Sequence, residues 1–519
     1  MTDETKSIDR ETYPHGETSY LGKSGFLSIF IHVQNQNPKR DNSSDSAKPE
    51  PTVPSPSRHL LFSFMDTYLE FCYTWCPILE REDILKDPGL ESSSLLKQAL
   101  ALLGSQINPP LLKHETPAKY YENAKSLFYG NYERDPLCRI TAVMLMYWWS
   151  AGPPNIVSMD SQFWWTGIAV KLAQEIGLHR DPSKDQVLRP GETAGLRRRI
   201  WWTLFARERL TSICQGRPCS INPSDCNVRP LTLEDFPAGK SRQGEIFIHW
   251  VRLCEIVGRV ARHLNSRTDW QPVPGDISED LVAWVNSLPQ NMVPPFQPNA
   301  GAFDREVNQL FLPYLSVITL LYMKRLTQPL PKAYTAGILA ASCVARIFED
   351  FLARGTLRFL QGVAGWSIAI AILALLHARR VECLKEHAEQ HLEILFTALK
   401  EMANHWHSSK MFVAGFESLT DSDSFMSTAK GRPDTHPPPT RAELDDCQLD
   451  YLVEWDGVSY LDYFPGASAH TSAMFNILLK YDPPNLFSDI LVPNDVSMQY
   501  QDLFDGVWLE QSYDVEQMI

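Results

Sequence analysis

Several familiar features are missing from this 519-residue chain, and each absence excludes something. No cysteine precedes Cys72, and none of the ten forms a CxxC pair. A structural zinc cluster built from near neighbours in sequence is therefore not expected, since such sites need closely paired thiolates. The opening MTDETKSIDRETYPHGETSY has early acids and no apolar stretch, unlike a secretory or transit peptide. The scattered thiols accordingly read as reduced and intracellular.

Catalytic signatures are missing too. No GxSxG, HExxH, GxxxxGK[ST] or GxGxxG occurs, which removes the nucleophile elbow, the zinc-protease helix, the P-loop and the dinucleotide turn. The 62 acids form pairs in many places, none in a setting that suggests general acid–base work. An enzyme is the least favoured reading. Long apolar runs are equally scarce. Only GVAGWSIAIAILALLHA at 362–378 qualifies, and it is shorter than the roughly 18–20 residues that span a bilayer. It leads into the polar HARRVECLKEH, so a buried core helix is expected and no membrane association.

The net charge of −14 and pI near 5.5 weigh against a body that binds polyanions nonspecifically. Phosphate contacts need clustered Lys and Arg. After Lys480 there is no Lys or Arg at all.

Sustained period-2 alternation is absent, whereas helical spacing recurs. Leu61, Phe64, Met65, Tyr68, Leu69 and Cys72 form one stripe, and Leu95, Leu96, Ala99, Leu102 and Leu103 a second. Ile168, Leu172 and Ile176 repeat it, as do Ile200, Leu204 and Phe205. The expected fold is all-α: a large domain of packed antiparallel helices over 59–417. Before it, 1–58 is a polar segment with a Pro/Ser-rich linker, expected to be disordered because it has too little apolar surface to offset chain ordering. After it come a Pro-rich linker at 418–446 and a partly disordered acidic–aromatic region at 447–519.

The densest information lies between Trp164 and Phe236. There WWTGIAVKLAQEIGLHRDP is followed by LRRRIWWTLFARERLTSICQGRPCSINPSDCNVRPLTLEDF. Two helical patterns flank a charged loop, and the second should end at Gly216-Arg217-Pro218, where glycine can take positive φ and proline cannot continue a helix. The ordered series Leu172, Ala173, Ile176, Gly177, Leu178, His179, Arg180, then Arg198, Arg199, Trp201, Trp202, Glu208, Arg209, Gly216, Arg217, Pro218, Ile221, Asp225, Val228 and Pro230 resembles the middle homology region of fungal Zn2Cys6 transcription factors. Within that group it is similar to the cutinase and xylanolytic-regulator branch. Glu208 stands where the family often has aspartate. WVNSLP and the apolar helix from Leu310 to Tyr322 extend the likeness, which covers roughly Leu60 to Leu330.

The resemblance implies a nuclear regulator of RNA polymerase II genes, controlling a metabolic or secondary-metabolite set. It implies no catalytic residue, no resident cofactor and no metal site; zinc is expected only if a cluster lies outside this chain. The usual DNA-reading cluster is not in this sequence, so DNA would be reached through a partner or a missing module. The implied partners are coactivators and other transcription factors, with a small-molecule effector and homo- or hetero-dimerisation left open. The alternative is a helical effector-sensing or interaction protein that has lost DNA binding.

Three residue groups invite a chemical reading. Arg197, Arg198 and Arg199 cannot share one helix face, because successive residues turn about 100°. Either they contact an anion or they form a buried ion-pair girdle with acids such as Glu192, Glu208 and Asp225; the girdle is favoured, because arginines at a helix start oppose the macrodipole and call for acid partners. Cys214, Cys219 and Cys226 are expected to be buried structural thiols. Cys383, His387 and His391, with His405 and His407 nearby, are expected to lie on a solvated helix face rather than bind metal. Finally, Leu503, Phe504, Val507, Trp508 and Leu509 alternate with acids and are the candidate anchors of an activation segment, unless that face docks on the body.

Overall fold

The computed structural model describes residues 53–80, 93–149, 152–183, 188–189, 191–266, 273–292, 296, 303–324, 331–428, 460–467 and 473–478. They fall into two compact units, the first ending at Glu255 and the second beginning at Ile256. The 1–58 segment (save its last residues), most of the 418–446 linker and the activation anchors Leu503 to Leu509 lie outside the described residues.

In the first unit, α1 (Arg58–Thr67), α2 (Ser94–Ile107), α3 (Pro117–Tyr129), α4 (Pro136–Met146), α5 (Gln162–Glu175) and α6 (Ala194–Gln215) follow one another, and α7 (Ser241–Asn265) crosses the boundary. The starts of α1 to α6 are chemically alike. Ser57, Ser93, Thr116, Asp135, Ser161 and Thr193 each accept a backbone N–H of the first turn through the side chain, satisfying a donor that the helix leaves unpaired. Pro117 and Pro136 add the fixed φ that suits a first helical position. Helix α2 is the hub, packing on α1, α3 and α4, while α4 packs on α5 and α5 on α6. It approaches α1 so closely that a Cβ at Gly104 would strike the Phe64 ring.

Helix α1 runs into a π-turn at Tyr68–Cys72 and a 3-10 turn at Tyr73–Trp75. Buried Tyr68 pins the loop beyond them: its hydroxyl donates to the Cys76 carbonyl at 2.5 Å and accepts the Ile78 and Leu79 N–H groups at 3.1 and 3.0 Å. The loop backbone, folded into an apolar interior, thereby finds its partners.

The second unit contains α8 (Gly275–Asn286), α9 (Arg305–Leu321), α10 (Thr335–Ala353), α11 (Val363–Ala378), α12 (Lys385–Ala403) and α13 (His407–Thr428). Between α9 and α10 lies a two-stranded antiparallel ribbon, with Met323 opposite Ala333 and Lys324 opposite Lys332. These two-residue strands are too short to show alternation in sequence. Helices α9 to α13 pack mainly on their chain neighbours, α10 also on α12 and α9 on α11. Helix α11 takes up nearly all of the apolar run at 362–378, and it is buried almost all round; no described helix is long and apolar enough to cross a membrane. Helix α13 continues past residue 417 to Thr428. A 3-10 turn at Tyr460–Tyr463 and the short α14 (Ala473–Leu478) complete the unit.

Candidate functional site

The signature residues gather at the end of α5, the start of α6 and the loop after α6. Both helix ends close in the same way. Gly177 follows α5 at φ +74° and Gly216 follows α6 at φ +60°. Leu178 N–H bonds the Ala173 carbonyl at 2.8 Å with Gly177 N–H on Gln174, and Arg217 N–H bonds Ser212 at 3.0 Å with Gly216 N–H on Ile213. This paired pattern lets glycine take the left-handed geometry and satisfies the last carbonyls. The two glycines of the signature are two copies of one helix stop.

The three arginines at the start of α6 fan out to three destinations. Arg197 pairs with Glu192 at 2.9 Å and donates to the Gly177 carbonyl at 2.9 Å, tying the cap of α5 to the first turn of α6. Arg198 forks onto Asp181, Nε to Oδ1 at 2.6 Å and Nη2 to Oδ2 at 3.1 Å, and also reaches Asp235 at 2.9 Å. Arg199 donates to the carbonyls of Pro77 and Asp235 at 2.7 and 2.6 Å and pairs with Glu80 at 3.2 Å. Only 3, 11 and 6% of these side chains is exposed, so none offers an open face to an external anion. Hydrogen bonding to Asp181 is the leading cause that holds the Arg198 guanidinium above its ordinary pKa.

Asp235 is the second centre of the girdle. Besides Arg198 it accepts two bonds from Arg229 at 2.9 Å and the Thr232 N–H at 2.9 Å. Its backbone sits against Gly195, where a Cβ would meet the Asp235 carbonyl oxygen at 2.7 Å. The loop from Arg229 to Phe236 is thus clamped on the start of α6.

The acid partners differ in part from those expected. Glu192 does pair with Arg197. Glu208 pairs instead with its neighbour Arg209 at 2.8 Å and receives the Ser220 N–H, while Arg209 donates to the Ile221 carbonyl at 2.7 Å. Asp225 meets none of the three arginines, because it sits on an exposed 3-10 turn after the α6 stop. Asp181, Asp235 and Glu80 take the remaining roles. Nothing in the local pattern marks them, since they are brought in by loops.

Adjacent Trp201 and Trp202 separate. Trp201 is buried, with the His179 ring centroid 6.0 Å away; half-buried Trp202 donates to the Arg229 carbonyl at 3.0 Å and meets the Phe205 ring at 5.3 Å. His179 joins the loops through its backbone, its carbonyl accepting the Asn227 N–H at 3.2 Å. Burial pushes its imidazole down to about 4, helped by the charges of Arg180 and Arg197 and opposed by Asp225. Half-buried Arg217 lies over the Phe163 ring at 4.5 Å and donates to the Pro154 carbonyl at 3.2 Å; Pro218 is exposed.

Sequence reasoning missed Arg207. Its guanidinium is buried 4.5 Å from the centroids of both Tyr147 and Trp148 and donates to the Met144 carbonyl at 2.6 Å. Two ring faces stand where a carboxylate would be expected. Burial pushes the neighbouring Cys76 thiol up to about 11 against the lowering effect of Arg207, which leaves it a poor nucleophile. Cys214, Cys219 and Cys226 form no disulfide and are half-buried rather than buried, because they lie at and beyond the end of α6, and among the described residues no group of three His, Cys, Asp or Glu could hold a metal. The histidine row of α12 is a correction: His387 and His391 are half-buried rather than solvated, because that side of the helix turns toward the buried residues Ala388, Leu392 and Leu395. Burial lowers the His391 imidazole to about 4, with His387 adding to the effect.

Capped helices and a paired arginine girdle define a helical scaffold. Residues 65–255 match the fungal specific transcription factor domain, and the match ends where the first unit ends. Among curated proteins the chain is similar to Cutinase transcription factor 1 alpha of Fusarium vanettenii, 26% identical over 78% of this chain and 50% of that protein. The Acetamidase regulatory protein of Aspergillus fumigatus is 26% identical over 70% of this chain and 49% of its own. Transcription factor cpaR of Aspergillus oryzae is 24% identical over 43% and 45% respectively. The chain spans about half the length of these relatives. No solved structure matches it.

Proposed function

We propose that this protein regulates transcription by RNA polymerase II in the nucleus, on a metabolic or secondary-metabolite gene set. The observation that carries the reading is the matched domain with its signature in order, together with relatives whose names say transcription factor or regulatory protein. The domain acts as the regulatory body, and DNA is reached through a partner or a module outside this sequence. The internal pairing of Arg197 to Arg199 supports this, because arginines held by acids and carbonyls do not release counterions from a duplex.

The test has two arms. Fused to an unrelated DNA-binding domain, the full chain should alter a reporter in the nucleus. Alone at physiological salt it should bind duplex DNA weakly and without sequence preference. Sequence-specific binding by the isolated chain would overturn the indirect route. A silent reporter, with no promoter binding even beside zinc-cluster partners, would favour the effector-sensing or interaction protein.

A further inference from the structure

Helix α5 is apolar on more sides than its packing uses. Its inner face, Trp165, Thr166, Ala169, Val170 and Ala173, is buried, and the helix packs on α4 and α6. A helix apolar all round is ordinarily buried all round. Here the outer strip Phe163, Trp164, Gly167, Ile168, Lys171 and Leu172 is left open. Phe163 and Trp164 are 36 and 41% exposed, Lys171 is exposed, and the other three are half-buried. The surface beside the strip is of the same kind. Trp164 donates its indole N–H to the hydroxyl of exposed Tyr129 at 3.0 Å, and Ile156, Val157 and Met159 stand exposed on the loop before α5. Between Ile140 and Val170 the one charged residue is Asp160, which Lys125 holds at 2.7 Å. Of the nine large apolar side chains exposed among the described residues, six lie in this region. Such a concentration marks an interaction surface.

The order of residues along the strip says what fits it. Gly167 lies mid-helix, where glycine costs about 1 kcal/mol relative to alanine. A Cβ there would meet nothing within 4 Å, so packing within the chain does not call for the missing side chain. A second copy of α5, laid antiparallel with a two-fold axis between Gly167 and Ile168, does use the gap. Residues equally distant from the axis then face each other. Ile168 enters the space over the second copy's Gly167, and Leu172 meets the second copy's Phe163. The Lys171 ammonium comes onto the second copy's Trp164 ring, a cation–π contact. Each of these contacts occurs twice. At the ends, Glu175 approaches the second copy's Asp160, and Lys125, which pairs with that aspartate, offsets the two acids. A parallel alignment would instead set lysine on lysine and leave glycine facing glycine. The strip is complementary to itself in one orientation.

We infer that this chain pairs with a second copy of itself through the outer face of α5, in an antiparallel two-fold contact centred on Gly167 and Ile168. Trp164, with Tyr129 on its indole, is the aromatic anchor of each half. The exposed Ile156, Val157 and Met159 flank it at the N-terminal end of the helix. The pairing does not depend on how the chain reaches DNA.

Sedimentation equilibrium on the full chain should show monomers of 59.1 kDa in exchange with dimers of twice that mass. The range to cover is about 1 to 100 µM, as a modest interface implies. Ile168→Asp should abolish the dimer. Trp164→Ala should weaken it by about a hundredfold, because each change is made twice across the two-fold. Gly167→Ala separates the interface from the fold. It should raise the melting temperature of the monomer, since alanine is the better helix former and has open space. It should nevertheless weaken the dimer by about tenfold or more, because it fills the seat of Ile168. Leu111→Asp, at a fully exposed leucine between α2 and α3, should leave association unchanged. A chain that stays monomeric at about 100 µM, as it would if one of its own segments covered the strip, would overturn the inference. So would a dimer that survives Ile168→Asp or tightens with Gly167→Ala, and so would open-ended oligomers, which a closed two-fold contact does not make.

Discussion

Glu192 and Arg197 show how strongly single residues are committed in this domain. The pair is buried at both ends, so removing one charge strands the other. Glu192→Gln should cost about 3–5 kcal/mol of stability, read as a fall in denaturant midpoint. A change below about 1 kcal/mol, the range of exposed pairs, would show that water reaches Arg197. The tryptophans should separate in the same measurement. Trp201→Ala empties a core site and should cost about 3–5 kcal/mol. Trp202→Ala loses one hydrogen bond and an edge contact and should cost about 1–2 kcal/mol. Equal losses would contradict their placement.

The histidines give a pH dependence with a definite sign. His179, His377 and His391 are each lowered to about 4, with burial the leading cause. Their folded pKa values lie below the unfolded value of about 6.5, so the unfolded chain binds more protons between those limits. The contribution is complete above pH 6.5 and is lost as pH falls toward 4. Thermal melts should therefore decline across that window, and His377→Gln should flatten the slope. A melting temperature that does not change from pH 7 to 4.5 would refute this.

At the scale of elements, Gly216 isolates the value of a helix stop. A side chain there would meet nothing within 4 Å, so only the backbone conformation opposes one. Gly216→Ala should then cost on the order of 1 kcal/mol, the strain of a left-handed alanine, and Gly216→Asn less. No loss would mean that the cap rearranges.

This stop was legible because glycine followed by proline acts within a few residues, and the stripes of α1, α2, α5 and α6 were legible because their period is local. The girdle was legible only in part. Glu192 lies five residues from Arg197, whereas Asp235 and Glu80 lie 37 and 119 residues from the arginines they hold. No spacing rule reaches that far. Arg207 escaped because ring faces, not an acid, surround it. Buried Tyr463, Phe464, Met474 and Phe475 escaped because they fall in two clusters too short to display a period.

At the scale of the molecule, the charge distribution suggests where output resides. The chain carries −14 overall and no Lys or Arg beyond Lys480. We expect residues 486–519, fused to an unrelated DNA-binding domain, to activate a reporter through Leu503, Phe504, Val507, Trp508 and Leu509. Phe504→Ala with Trp508→Ala should abolish the signal, and neutralising one acid should only weaken it. Silence from the intact segment would assign those anchors to packing instead.

The reach of Arg199 also sets a schedule for the nascent chain. Its partners Pro77 and Glu80 have left the ribosome long before it, but Asp235 follows by 36 residues. Until that aspartate emerges, Arg198 lacks its buried acceptor and the start of α6 stays electrostatically incomplete. Closing a loop of this length adds an entropic cost that grows only slowly with chain length, but contacts this distant in sequence slow the search for the native state. While Arg199 has emerged and Asp235 has not, the first turn of α6 therefore holds only part of its girdle, and that interval is where mispairing of its arginines is expected.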